Sequence, residues 1–129
     1  MSGRNLLSAF WRAMQANDWP AAASYFTPEC VIDWPCSGER IVGRRDFATM
    51  QARYPSSTGR WGFQVHRLVA ERDTVVSEVS VTDGVQAART VVFSDIVGEH
   101  IAHQVEYWPI PYEPLSGRAD LTRPTQRIP

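Results

Sequence analysis

The second half of the chain is a succession of four β-forming segments separated by very short connections. The segments are rich in valine, isoleucine, threonine and aromatic residues and cover residues 62–71, 74–82, 85–97 and 100–108. The connections are Arg72-Asp73, Asp83-Gly84 and Gly98-Glu99. Asp-Gly is a strong hairpin signal because a type I′ turn needs positive φ at both positions. Strands joined this closely pair antiparallel with their neighbours in sequence, so the pattern predicts a four-strand meander.

An apolar stripe near the N-terminus predicts an amphipathic helix over residues 5–16. Its members recur at the i, i+3, i+4, i+7 spacing of one helix face: Leu7, Phe10, Trp11 and Met14. A second, shorter helix is predicted to begin after Asp18, whose side chain can cap it, and to stop at Pro28. A third helix is predicted over residues 44–53, ended by Pro55.

Two short strands, residues 30–34 and 39–42, are predicted between the second and third helices. Helices followed by a meander indicate an α+β layer architecture. A chain of 129 residues is one domain. We expect that domain to span residues 1–113, with a proline-rich tail over residues 114–129.

Composition excludes several classes of partner and cofactor. The net charge of −1, with no stripe of lysine and arginine, is unlike that of a nucleic-acid-binding protein. No apolar run approaches the roughly 20 residues of a membrane span, and no signal peptide is recognisable, so a cytoplasmic protein is expected. Three separated histidines give no metal-ligand spacing, and no glycine-rich phosphate loop is present. We therefore expect neither metal nor cofactor.

Asp33 is a carboxylate among residues that the pattern predicts to be buried. It lies in Cys30-Val31-Ile32-Asp33-Trp34-Pro35, on the first predicted strand. A charge removed from water costs several kcal/mol unless it is paired, so such an acid indicates pairing, a shifted pKa or chemistry. The functional interpretation is a general base. The structural one is a carboxylate bonded to backbone N–H groups or to an arginine: Arg40, Arg44 or Arg45.

Two-residue turns set the register of the meander, and alternation then sorts its side chains onto two faces. One face is predicted to carry the charge row Arg67-Glu78-Arg89, whose alternating signs stabilise each other, with Phe93, Asp95, Gln104, Glu106 and Trp108. The opposite face, which the helices should cover, is apolar except for His66, Ser77, Thr90, Ser94, His103 and Tyr107. An apolar wall with a few polar groups is typical of a ligand pocket, although one β-bulge would reverse part of this assignment.

Several residues are candidates for a site in such a pocket. The aromatic residues that can line it are Trp11, Trp34, Phe47, Tyr54 and Trp61. His103 and His66 can act as acid, base or orienting group, or be hydrogen-bonded core histidines. Tyr107 and Ser94 can bond a developing enolate, or be satisfied wall residues. Arg44-Arg45 is interpreted as a solvated helix start rather than as an anion site.

The order of these motifs resembles a known family. Two helices lead to the strand acid in Val-Ile-Asp-Trp-Pro, Gly-Glu-Arg-Ile-Val-Gly-Arg-Arg-Asp-Phe opens a third helix, and the sheet closes on Val-Glu-Tyr-Trp-Pro-Ile-Pro-Tyr-Glu. This resembles the NTF2-like superfamily, and within it the SnoaL-like branch of polyketide cyclases and relatives of ketosteroid isomerase and scytalone dehydratase. The resemblance covers residues 5–113 and implies a cone in which three N-terminal helices pack on a strongly curved antiparallel sheet.

The resemblance also implies roles for individual residues. Asp33 matches the general base of the isomerases, whereas Phe10 occupies the position of their oxyanion-binding tyrosine and cannot donate a hydrogen bond. Asp95 is the one acid near the position of their protonated carboxyl, and the predicted register turns it outward. Cyclases and dehydratases of the superfamily often pair the acid with a histidine, which here would be His103 or His66.

These observations predict a cofactor-free isomerase, cyclase or dehydratase acting on an apolar, carbonyl-bearing molecule of polyketide or steroid type. Asp33 would take the proton, His103 would orient it or return the proton, and Tyr107 or Ser94 would stabilise the oxyanion. The alternatives are a non-catalytic ligand-binding or dimerisation module and a small subunit of a larger oxygenase. Under the two main interpretations we expect a homodimer through the outer face of the sheet, with no nucleic-acid or membrane partner.

Overall fold

Three helices precede or interrupt a six-stranded sheet in the computed structural model, which describes residues 1–129. The helices are α1 (Gly3–Gln15), α2 (Trp19–Ala23) and α3 (Arg44–Arg53). The strands are β1 (Phe26–Trp34), β2 (Glu39–Val42), β3 (Gly62–Glu71), β4 (Thr74–Thr82), β5 (Ala87–Val97) and β6 (His100–Tyr107). Strand order is β2-β1-β6-β5-β4-β3, antiparallel throughout except that β1 and β6 run parallel. The α+β architecture is as predicted.

The first two helices begin at capping residues, and α1 places its apolar stripe on the sheet. The Oγ of Ser2 accepts a hydrogen bond from the backbone N–H of Asn5 at 3.1 Å, which starts α1 two residues before the predicted position. Asp18 caps α2 as predicted, its Oδ1 accepting from the N–H of Ala21 at 3.1 Å. The buried residues of α1 are Leu6, Leu7, Ala9, Phe10, Trp11 and Met14, and most of them pack in the main core.

The end of α2 differs from the prediction. The helix stops at Ala23, and Phe26, predicted to be helical, begins β1. Phe26 pairs with Ile101 of β6 and is fully buried, with its ring centroid 4.7 Å from that of Phe47. Long-range pairing and burial therefore override the local helical pattern. Pro28, which has no N–H to donate to a neighbouring strand, is accommodated because the ladder between β1 and β6 is interrupted between Phe26 and Val31.

The first two hairpins keep the predicted faces from Arg67 onward, whereas a bulge at His66 places Phe63 and Val65 on the inner side of β3. Arg67 lies opposite Glu78, as predicted. Between β4 and β5 the connection is residues 83–86 rather than two residues, so Glu78 lies opposite Val91 instead of Arg89. A register shift of two residues leaves every side chain on its face. Glu78 accordingly still binds both arginines, Arg67 at 2.8 Å and Arg89 at 3.2 Å.

A β-bulge in the last strand reverses the predicted faces beyond it. Ile96 lies opposite Ile101, but Asp95 lies opposite His103, so Ala102 is an extra residue in β6. Ile101 and Gln104 are both fully buried, which strict alternation over three residues would forbid. The prediction is therefore wrong from residue 103 onward. The side that the helices cover carries Gln104, Glu106 and Trp108, and the outer face carries His103, Val105 and Tyr107.

The remaining features concern the cysteines, the helix lengths and the C-terminus. Cys30 is buried, Cys36 is exposed, and both are free thiols. None of the helices is long and apolar enough to span a membrane. After β6 the chain forms no helix or strand, and an ion pair of 3.0 Å joins Arg127 to Glu113.

Candidate functional site

A cavity of about 690 Å³ opens between α1, α3 and the inner face of the sheet. Its wall is largely aromatic: Trp11, Trp34, Tyr54, Trp61, Phe63 and Trp108 line it. Four of the five aromatic residues expected to line a cavity therefore do so, whereas Phe47 is fully buried in the core and does not reach it. The volume and the apolar wall are those of a small-molecule pocket.

The aromatic wall is held in place by ring contacts and by hydrogen bonds from its indole N–H groups. The ring of Tyr54, directly after α3, meets Trp34 edge to face at 6.3 Å and Trp61 at 5.8 Å. The indole N–H of Trp11 donates to the Oγ of Ser77 on β4 at 3.0 Å. This bond connects α1 to the sheet, and the indole ring forms part of the cavity wall.

Glu106 is the buried acid of this cavity. Only 8% of the residue is exposed, and both indole donors beside it bind the same oxygen: Trp34 Nε1 donates to Oε1 at 2.8 Å and Trp108 Nε1 donates to Oε1 at 3.2 Å. The other oxygen, Oε2, accepts no hydrogen bond, and it is not completely shielded from solvent. Because Glu106 lines the cavity, Oε2 is the oxygen that a ligand can reach.

The environment of Glu106 moves its pKa toward neutrality. Burial disfavours the charged form and raises the pKa of this carboxyl to about 7, because the two indole N–H groups, which favour the charged form, offset burial only in part. A carboxyl with a pKa near the working pH is present in both forms and can accept and return a proton.

Asp33 lies on the outer face of the sheet, so the expectation that it faces a hollow is wrong. Ile32 takes the inward position, and alternation turns Asp33 outward, opposite Arg40 of β2. Arg40 clamps it with Nε–Oδ1 at 2.6 Å and Nη2–Oδ2 at 3.1 Å, and His103 Nε2 lies 3.0 Å from Oδ2. These bonds, that of Arg40 first, lower the pKa of Asp33 to about 2. The arginine-bonded structural carboxylate is therefore the interpretation that fits.

His103 meets Asp33 as expected, but both lie away from the cavity. The other ring nitrogen of His103, Nδ1, is 3.7 Å from Asp95 Oδ2. Tyr107 is 44% exposed on the same outer face, where its ring meets Phe93 edge to face at 6.1 Å. The predicted catalytic set is thus on the wrong side of the sheet, since all three members depended on the reversed register or on an inward Asp33.

His66 and Ser94 do not line the cavity either. His66 is an exposed residue at the bulge of β3, and its Nε2 lies 2.6 Å from the Oγ of Ser80. Ser94 is on the inner face as predicted, but it is fully buried and accepts a hydrogen bond from Gln104 Nε2 at 3.0 Å. Both are hydrogen-bonded polar groups. Ser94 fits the alternative interpretation of a satisfied wall residue, whereas His66 is exposed and is not a core histidine.

The acid that sequence reasoning missed is Glu106. The available signal was the two-residue spacing of Gln104, Glu106 and Trp108, which puts them on one face of a strand. That spacing does not say which face is inward. The bulge at Ala102 decides this, and nothing in the local sequence marks it.

The structure contains no group of three or more His, Cys, Asp or Glu side chains placed to hold a metal ion. The cavity instead offers aromatic surface, one buried carboxyl with a free oxygen, that of Glu106, and the phenol of Tyr54; the exposed Glu39 lies at its edge. Chemically, this arrangement can bind an apolar ring and exchange one proton with it.

Known proteins resemble this chain over most of its length. The family model of the SnoaL-like domain matches residues 7–104. A candidate ketosteroid isomerase from Kribbella flavida DSM 17836 is 27% identical and has a TM-score of 0.89, over 96% of this chain and 90% of that one. An NTF-2 like protein of unknown function from Burkholderia xenovorans LB400 is also 27% identical, with a TM-score of 0.79 over 96% and 95% of the chains.

A more distant structure shares the fold alone. It is an LEH-like epoxide hydrolase from M. tuberculosis, 22% identical, with a TM-score of 0.67 over 83% of this chain and 82% of that one. No curated protein matches the chain.

Proposed function

Because the chain belongs to the SnoaL-like domain family and has its NTF2-like α+β fold, we propose that it is an acid–base enzyme acting on an apolar carbonyl compound. The compound is a polyketide- or steroid-like ring system held in the aromatic cavity. Glu106 replaces Asp33 as the proton acceptor. The observation that carries this proposal is a buried carboxyl with a pKa of about 7 whose Oε2 is open to a cavity of about 690 Å³.

The proposed reaction moves a single proton. Glu106 Oε2 takes a proton from the carbon next to the substrate carbonyl, and the C–H electron pair moves onto the carbonyl oxygen to form an enolate. Protonated Glu106 then returns the proton to carbon, at the same or a conjugated position, and the carbonyl re-forms. A pKa of about 7 suits both steps, because the group is a useful base when ionised and a useful acid when protonated.

Tyr54 is the group we assign to the enolate oxygen. It is the one phenol in the lining of the cavity, and its ring is fixed between Trp34 and Trp61. An O–H donor aimed at a developing negative charge stabilises the enolate more than the neutral ketone. The similarity to a candidate ketosteroid isomerase from Kribbella flavida supports the same class of reaction.

Binding without turnover is the second candidate function. The observation in its favour is that the partners of Glu106 Oε1 are two indoles, which donate hydrogen bonds but cannot relay a proton. No histidine or hydroxyl bonds this carboxyl. In this alternative the unpaired Oε2 is an acceptor for a ligand hydroxyl.

Proton exchange next to a carbonyl separates the two functions. 2-Tetralone and 5-androstene-3,17-dione are incubated with the protein in D₂O, and deuterium uptake is followed by ¹H NMR. We expect wild-type protein to accelerate uptake, and Glu106→Gln to lower that acceleration by roughly 100-fold or more, the contribution typical of a general base. Asp33→Asn is the matched control and should stay within about twofold of wild type, since Asp33 faces away from the cavity. Ketones that bind without accelerated exchange, or full activity in Glu106→Gln, would overturn the proposal.

We also propose that a second copy of the chain covers the outer face of the sheet. Phe93 and Tyr107 are 41% and 44% exposed there as one edge-to-face pair. Arg67 and Glu78 put both signs of charge on the same face, so two copies can meet without net repulsion. Trp108, expected on this face, lines the cavity instead and takes no part.

A further inference from the structure

A second groove, of about 430 Å³, lies between β2 and α3 and meets the aromatic cavity at the end of the helix. Met50 and Arg53 line both spaces. The two spaces therefore lie side by side, with these two side chains at their boundary. The groove differs from the cavity in that its wall is mostly polar.

The groove is lined by three arginines and one acid: Arg40, Arg45, Arg53 and Asp46. Arg40 is neutralised by its bidentate pair with Asp33. The arginine ion pairs of the chain involve only Arg40, Arg67, Arg89 and Arg127. Arg45 and Arg53 are thus two guanidinium groups in the groove without an ionic partner.

Helix stability accounts for Arg53, a cation in the last turn of α3, but not for Arg45. Arg45, Thr49 and Arg53 recur every four residues, so they lie along one face of α3. A cation in the first turn, as Arg45 is, opposes the helix dipole. The neighbouring Arg44 already has a hydrogen-bond acceptor, because its Nη1 donates to the backbone carbonyl of Phe26 at 3.4 Å.

We propose that this groove binds the anionic group of an amphiphilic ligand whose ring system fills the aromatic cavity. The ligand class is an apolar ring carrying a carboxylate, sulfonate or phosphate. Arg53, at the junction, and Arg45, along the groove, hold the anion by charge-assisted hydrogen bonds, for which the planar guanidinium is well suited. Arg45, which the sequence alone assigns to a solvated helix start, thereby acquires a role. The inference rests on the proposed function because it names the substrate class of the same cavity.

A matched pair of probes tests the anion site. 8-Anilinonaphthalene-1-sulfonate and the uncharged N-phenyl-1-naphthylamine share a ring system and differ in the sulfonate. Their affinities are measured by fluorescence titration for wild type, Arg45→Gln, Arg53→Gln and, as the control, Arg118→Gln in the C-terminal tail. We expect each groove variant to weaken the sulfonate probe by roughly 3- to 10-fold, the effect of a partly exposed charge contact, and to leave the uncharged probe within about twofold.

The salt dependence of binding and the Arg118→Gln control complete the test. Raising the ionic strength from about 0.02 to about 0.5 M should weaken only the sulfonate probe, because added salt screens exposed charges. Equal losses for both probes, or losses as large in Arg118→Gln, would overturn the anion site while leaving the cavity intact. If the uncharged probe does not bind at all and no ketone exchanges protons, the proposed function fails instead. Circular dichroism of each variant verifies that it is folded.

Discussion

Asp33 and Glu106 are on adjacent strands but lie on opposite faces of the sheet. Asp33 is opposite Val105 in the parallel ladder between β1 and β6, so the next residue of β6, Glu106, points the other way. The two carboxyls therefore have different surroundings. Arg40 and His103 lower the pKa of Asp33 to about 2, and burial raises that of Glu106 to about 7.

The first prediction concerns the pH dependence of stability. The pKa of Glu106 rises from 4.5 to about 7 on folding, so the folded state binds the proton more tightly than the unfolded state. The stabilisation is fully present below about pH 4.5 and is lost as pH rises through about 7, a loss on the order of 3 kcal/mol. Glu106→Gln should remove this dependence.

Urea unfolding of both proteins between about pH 4 and 8 measures the effect. The difference in unfolding free energy between the two isolates Glu106 from every other titrating group. Parallel curves over the whole range would show that this carboxyl has the same pKa in both states, contrary to the prediction.

The second prediction concerns the two indole donors. Trp34→Phe keeps an aromatic ring but removes an N–H that favours the ionised form of Glu106, so its pKa should rise further, by roughly one unit. Trp108→Phe should act in the same direction, because the indole N–H of Trp108 donates to the same oxygen, Oε1, at 3.2 Å. Trp11→Phe is the control, since that indole binds Ser77. ¹³C NMR titration of labelled glutamate carboxyls gives the pKa values, and an unchanged value in Trp34→Phe would refute the assignment.

The third prediction concerns Asp33. Its folded-state pKa is depressed, so it contributes stability above about pH 3.8 that is lost as pH falls through about 2. Asp33→Asn at neutral pH should cost less than about 1 kcal/mol, as for a partly exposed ion pair, and should leave the affinity for N-phenyl-1-naphthylamine unchanged. Thermal unfolding and fluorescence titration test the two parts. A loss of probe binding would mean that Asp33 acts in the cavity after all.

The fourth prediction concerns the connection between β4 and β5. Its carboxylate, Asp83, accepts hydrogen bonds from the backbone N–H groups of Ser57, Val85 and Gln86 at 2.7, 2.9 and 2.8 Å. These bonds hold the pKa of Asp83 well below its usual range. Asp83→Ala should lower the melting temperature by several degrees. Asp73→Ala, at the preceding turn and without such bonds, should leave it nearly unchanged, and equal melting temperatures for the two variants would contradict the structural role.

The fifth prediction concerns the outer face of the sheet. If a second copy covers it, Tyr107→Glu places a charge in the interface and should give a monomer. Val85→Glu, at an exposed position of the β4–β5 connection, is the control and should remain dimeric. Size-exclusion chromatography with light scattering distinguishes the states. A wild-type monomer at micromolar concentration would refute the dimer.

Much of the fold could be predicted from the sequence because its signals are local. Gly43 and Pro55 delimit α3, and the stripe from Leu7 to Met14 gives α1 its buried face. The strands β3 and β4 have the predicted bounds and, from Arg67 to the turn, the predicted register. Part of the aromatic wall could also be predicted, because Trp34 ends β1 and Tyr54 directly follows α3. These features depend on turn chemistry and on residues close in sequence.

The candidate acid could not be predicted, because its position depends on contacts distant in sequence. Ala102 is an extra residue in β6. With this residue in place, Ile101 pairs with Phe26 and Gln104 binds Ser94, and both contacts are buried. That one residue turns His103 outward and Glu106 inward. The amino-acid sequence by itself determined which segments become helices and strands. Only the tertiary structure decided which carboxyl is buried, since strand alternation sets relative faces while packing across the sheet sets which face is inside.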